Sequence, residues 1–206
     1  MTFPRIMVRA GMVAALLGIA AMAFAQVIEY ESNGEKYQTL TRRGLTVIVT
    51  HMPVEVAGYA LIQVSIANGS DIHWTVKPEQ FGYARGGNTT EALSADDVVN
   101  VMLAHASSND TIKLITAYER ALYAIPNMRG KNGYEERRQS ALAFGGSTKL
   151  RAAAAASAIT LAQVRLAPGD STDGAVFIHL GHDQKSLTGG RVVLNSEGET
   201  FEFNPD

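Results

Sequence analysis

The chain contains no cysteine. That excludes disulfides, thiolate metal sites, iron–sulfur clusters, a cysteine nucleophile and the lipid-modified cysteine of a lipoprotein. Stabilisation must come from a packed core, and about 180 residues are enough to build one without covalent staples. Charge of one sign is also missing. The whole chain has 18 basic and 20 acidic residues. Two of the basic residues, Arg5 and Arg9, fall in the first 25 positions, so residues 26–206 carry 16 basic against 20 acidic, a formal charge of −4. Such mild acidity gives no general affinity for nucleic acid or anionic membranes. There is no internal repeat, and no apolar run reaches the roughly 20 residues of a bilayer span.

The first 25 residues are distinctive. Arg5 and Arg9 form a basic n-region, Ala10–Ala21 an apolar run, and Ala23-Phe24-Ala25 precedes Gln26. This is the grammar of a secretory signal peptide with an Ala-x-Ala cleavage site. The chain is therefore expected in the periplasm or outside the cell, beginning near Gln26. The competing reading, an uncleaved anchor, has too short an apolar run.

The remainder alternates between two grammars. Leu45–Thr50 and Tyr59–Ala67 have strand periodicity, with Ala60, Ile62, Val64 and Ile66 on one face and Tyr59, Gln63 and Ser65 on the other. Asn68-Gly69-Ser70-Asp71 reads as a turn, and Ile72, Trp74 and Val76 as a second strand making a hairpin with the first. After Phe81 the period changes. Ser94 with Asp97 forms a capping pattern ahead of Val98, Val101, Met102 and His105 on one helical face. Ile115, Tyr118, Leu122 and Ile125 recur at helical spacing before Pro126. Tyr134–Phe144 is helical in character, and the alanine-rich Lys149–Val164 predicts a close-packed helix with Leu150, Ala154, Ser157, Leu161 and Val164 on its stripe. Strand periodicity returns at Val176, Ile178 and Leu180, then in Arg191–Asn195 and Glu199–Asn204 with Phe201 and Phe203 as core anchors.

Val64–Ser70, Val76–Phe81, Leu166–Ser171 and Gly174–Phe177 together resemble the turns and strands of immunoglobulin-like modules found in bacterial exported proteins of unassigned function. The resemblance covers about 45–84 and 164–206. It implies an antiparallel β-sandwich with Trp74 as its core tryptophan, mainly β with an α insertion. The expected organisation is a signal peptide over 1–25 and a single sandwich domain over 26–206. That domain would be interrupted by a helical insertion of about three helices over 91–163, which covers the sandwich and buries Ile115, Tyr118 and Leu122.

Chemistry is sparse. His179, His182 and Asp183 are the only local cluster of metal-type ligands, and converge only if Gly181 turns the chain. His73 is expected to be exposed, His105 to be a core histidine, and His51 to lie in a connection beside Pro53. No Gly-x-Ser-x-Gly elbow, Walker loop or dinucleotide motif is present. Asp96-Asp97 and Glu135-Glu136 lie near helix starts, where carboxylates complement the dipole. The leading expectation is an exported, non-catalytic binding or assembly module of the bacterial cell envelope. It would need no cofactor and would have a protein partner, no nucleic-acid partner and no stable membrane insertion after cleavage. The alternative is a metal-binding protein or metal-dependent enzyme built on His179, His182 and Asp183.

Overall fold

A computed structural model describes residues 26–125, 132–181 and 186–205. Residues 1–25, where a signal peptide is expected, and His182 and Asp183 lie outside the described residues. The described chain is mainly β, with antiparallel sheets and four α-helices. Strands β1 (Ile28–Ser32), β2 (Glu35–Arg42), β3 (Leu45–Val56) and β4 (Tyr59–Asn68) form an antiparallel meander, and β9 (Ser171–His179) joins it beside β4. A second sheet runs β11 (Glu199–Phe203), β10 (Arg191–Ser196), β6 (Phe81–Arg85) and β7 (Asn88–Glu91). A small pair, β5 (Trp74–Val76) with β8 (Val164–Leu166), closes one end.

Tight turns set the register. Asn33-Gly34, Arg43-Gly44, Ala57-Gly58, Gly86-Gly87 and Glu197-Gly198 all have both residues at positive φ, the two-residue geometry that matches strand twist. The three non-glycine leaders other than asparagine adopt it at a cost of about 1–2 kcal/mol each. β3 carries a register shift between Met52 and Glu55, where Pro53 cannot donate to the ladder. His51 therefore lies within a long strand, opposite Ile62, and not in a connection.

The two larger sheets share one apolar cluster, to which Val47, Val64, Trp74, Val176, Leu194, Phe201 and others contribute. Trp74 is fully buried, donates to Ser70 Oγ at 3.0 Å, and has the Arg43 guanidinium 5.8 Å above its ring. The expected hairpin of Tyr59–Ala67 with Ile72–Lys77 does not form, because β5 pairs with β8 and β4 pairs with β3 and β9. Asn68 explains the departure. Its Oδ1 accepts from Ser70, while its Nδ2 donates to Ile72 O and Leu166 O, so the side chain turns the chain out of its sheet toward β8. Ile72 is left exposed.

A second cluster fills the opposite face of the five-stranded sheet. Helices α1 (Ala95–His105), α2 (Asp110–Tyr123), α3 (Tyr134–Ala143) and α4 (Thr148–Ile159) form a layer there, four helices where about three were expected. Met52, Leu61 and Phe177 from the sheet pack with Met102, Leu114, Tyr118 and Leu122 from the helices. Ser94 Oγ accepts from Asp97 N at 3.1 Å, as the capping pattern predicts. Burying both sheet faces overturns the one-sided reading of β4: Gln63 and Ser65 are as inaccessible as Ile62 and Val64. The helical stripes also rotate. His105 is exposed, since Ala106 and not the histidine completes the buried face. In α4 the buried face is Ala152, Ala155, Ala156 and Ile159, while Leu150 and Ser157 face solvent. The alanine-rich face wins because α4 packs against α1, α2 and α3 together, and methyl side chains allow that close approach.

Candidate functional site

The ladder between β2 and β3 ends at Gln38–Val49. Beyond it the β1–β2 hairpin bends away toward the helical layer. Thr50 Oγ1 donates to Lys36 O at 2.6 Å in place of a ladder bond. Ser32 Oγ donates to Ala124 O and Tyr37 OH to Ala121 O, both at 2.6 Å, and Arg120 pairs with Glu35. Tyr30 stacks on Tyr37 with centroids 5.2 Å apart. Burial and the neighbouring Glu35 carboxylate push the Tyr37 hydroxyl well above its ordinary range.

This divergence opens a cavity of about 490 Å³ at one end of the space between the sheets. Val49, Ile62 and Val192 form its apolar floor. Gln38 spans one wall, donating to Glu29 Oε1 at 2.5 Å and accepting from Asn204 N at 2.6 Å. Glu29, Glu31, Lys36 and the half-buried His51 line the opening. An apolar floor with a few fixed polar groups at the mouth suits a small ligand.

A second polar constellation is closed. Ser65 on β4 lies opposite Asp173 on β9. Tyr118 OH donates to Asp173 Oδ2, and Asn132 Nδ2 donates to the Asp173 carbonyl at 2.5 Å and to Oδ2 at 3.2 Å. Tyr118 packs edge-on against Tyr134, whose hydroxyl donates to Glu119 Oε1 at 3.1 Å, and Glu119 also pairs with Arg138. Burial, then the Asp173 charge, drives the Tyr118 hydroxyl far above its ordinary range. Gln63 donates to Ser65 Oγ at 2.7 Å, but its Oε1 has no hydrogen-bond partner. With Tyr118 wholly inaccessible and Asp173 3 % exposed, this group fastens helices to sheet and does not present chemistry to a substrate.

His179 ends β9, is exposed, and packs edge-on against Tyr59 at 5.2 Å. The metal reading needs His182 and Asp183 as well, and these lie outside the described residues. Among the described residues no group of three or more His, Cys, Asp or Glu side chains could hold a metal ion. Sequence reasoning missed Glu29, Tyr30 and Gln38, because residues 28–42 were not read as strands. The Asn33-Gly34 turn between Tyr30 and Tyr37 was the available signal. No family model, curated protein or solved structure matches this chain.

Proposed function

We propose that this protein is an exported binding module of the bacterial cell envelope, an immunoglobulin-like β-sandwich that holds a small ligand at its open end and is stiffened by its helical layer. The export part of this reading rests on the residue pattern of the first 25 positions. The binding part is carried by one observation, the 490 Å³ cavity with Val49, Ile62 and Val192 beneath Gln38 and His51. The roles divide naturally. The floor supplies apolar burial, while Gln38, held from both sides, and His51 supply oriented polar contacts. The β1–β2 hairpin is fixed to α2, which keeps the opening preformed. Equilibrium binding of hits from a small-molecule screen tests the reading. Hits should bind wild type and lose affinity in His51→Trp, which narrows the mouth. Affinity that is indifferent to His51→Trp would count against the pocket.

A further inference from the structure

The turn joining α3 to α4 is apolar and exposed. Phe144 is 47 % exposed, and Leu142 and Leu150 44 % each. A Cβ built on Gly146 would lie 3.2 Å from Phe144 Cε1 and 3.5 Å from Leu150 Cδ1, so these two side chains flank the same turn. Lys149 Nζ donates to Ala104 O at 2.6 Å. That bond brings the C-terminal end of α1, with Leu103 38 % exposed, to the same end of the layer. The charges there have one sign. Between Gln139 and Val164 the only charged residues are Lys149 and Arg151, and from Val98 to Asn109 there is none apart from His105. Asp110, the next acid along, is buried and paired with Lys113. Glu136 lies about two turns of α3 back from the tip, roughly 12 Å along the axis, at the far end of the groove that Phe144 lines, where Arg137 beside it offsets its charge.

From these features we infer that the α3–α4 tip docks onto an anionic membrane surface, with Phe144, Leu142 and Leu150 entering the interface and Lys149 and Arg151 meeting the headgroups. Exposed apolar groups backed by basic side chains are the combination that holds proteins at anionic interfaces. A membrane fits better than a peptide because Leu142, Leu150 and Leu103 lie outside the open groove that Phe144 lines with Ala141, Ala154 and Ala158 between α3 and α4, so the apolar surface is spread around the turn and not gathered in one cleft. Among the described residues no helix is long or apolar enough to span a bilayer, so the contact is peripheral. The formal charge of −4 on residues 26–206 does not forbid it, since screening confines such repulsion to about 10 Å at 0.1 M salt. This surface is separate from the cavity and stands or falls without it.

Co-sedimentation of the full protein, purified after export, with phosphatidylethanolamine/phosphatidylglycerol vesicles and with phosphatidylcholine vesicles tests the inference. The protein should partition onto the anionic vesicles and much less onto the zwitterionic ones. The paired change Phe144→Ser with Leu150→Ser should reduce partitioning at least about tenfold. Lys149→Glu and Arg151→Glu should each reduce it about fivefold or more. All four positions are solvent-facing, and Trp74 fluorescence verifies that each variant is folded. Because every comparison uses the same N-terminus, a retained leader would not produce these differences. Equal binding to both vesicle types would overturn the inference. So would partitioning that survives the Phe144/Leu150 pair, or a dimer without vesicles that the pair dissociates, which would assign the tip to contact between copies.

Discussion

Replacing Tyr118 by phenylalanine removes one oxygen atom and leaves the ring, with its edge-on contact to Tyr134 at 5.0 Å, in place. What is lost is the donor to a carboxylate that is 3 % exposed. Asn132 Nδ2, at 3.2 Å from Asp173 Oδ2, is a longer contact than the one removed. Hydrogen bonds to charged groups contribute about 1.5–3 kcal/mol, and a buried acceptor stripped of its donor also bears its desolvation cost. We therefore expect Tyr118→Phe to destabilise by about 2–3 kcal/mol. At about 2–4 °C per kcal/mol for a domain of this size, Tm should fall by roughly 4–12 °C. Urea titration monitored by the fluorescence of the single tryptophan, Trp74, is the natural assay, since Trp74 is fully buried in the other core cluster. Far-ultraviolet circular dichroism should give a coincident transition if helices and sheets unfold together. In an Asp173→Asn background the same change should cost only about 1 kcal/mol, because the acceptor is then neutral. A loss under about 0.5 kcal/mol in the wild-type background, or an equal loss in both backgrounds, would refute the charge-assisted role of this pair.

Two further outcomes follow from the packing. Tyr37, Tyr118 and Tyr134 are fully inaccessible, and burial is the first cause raising each hydroxyl above its ordinary range. Their contribution is complete below the unfolded value near pH 10 and is lost as pH rises beyond it, where the unfolded chain releases protons that the folded chain retains. Urea midpoints should thus be insensitive to these groups below about pH 9 and fall above about pH 10, with a limiting slope of about 1.4 kcal/mol per pH unit per tyrosine; a flat profile to about pH 11 would contradict this. Gly174→Ala would place a methyl 2.6 Å from Leu161 N and closer still to its Cα, where Leu161 N donates to Ala175 O. Backbone cannot yield as a side-chain tip does, so a loss of about 3 kcal/mol or more is expected. Gly58→Ala, strained at φ +82° but unobstructed, should cost only about 1 kcal/mol; denaturant midpoints of the two variants make the comparison.

Local grammar carried much of the fold. Val176, Ile178 and Leu180 against Ala175 and Phe177 divide between the two clusters as their alternation predicts. The Ser94 cap and the Ile115, Tyr118, Leu122 face of α2 are where periodicity puts them. What failed was everything decided by a third layer. Gln63 and Ser65 look like solvent-facing strand positions until helices cover them. Leu150 and Ser157 look like the packing stripe of α4 until three neighbouring helices select its alanines. Pairing of β5 with β8 depends on Asn68 reaching Leu166, 98 positions away, which no local pattern encodes. The cavity was illegible for a related reason. It exists because β2 leaves β3 to reach α2, a long-range event anchored by Tyr37 and Glu35.

The binding claim is tested most directly by methyl NMR of the labelled full protein during titration with hits from the small-molecule screen. Resonances of Val49, Ile62 and Val192 should move together and saturate, while those of Leu114 and Leu122 in the helix-facing cluster remain in place. Hits that leave the methyls of these three floor residues unmoved, or that shift only residues elsewhere, would contradict a ligand site between the sheets.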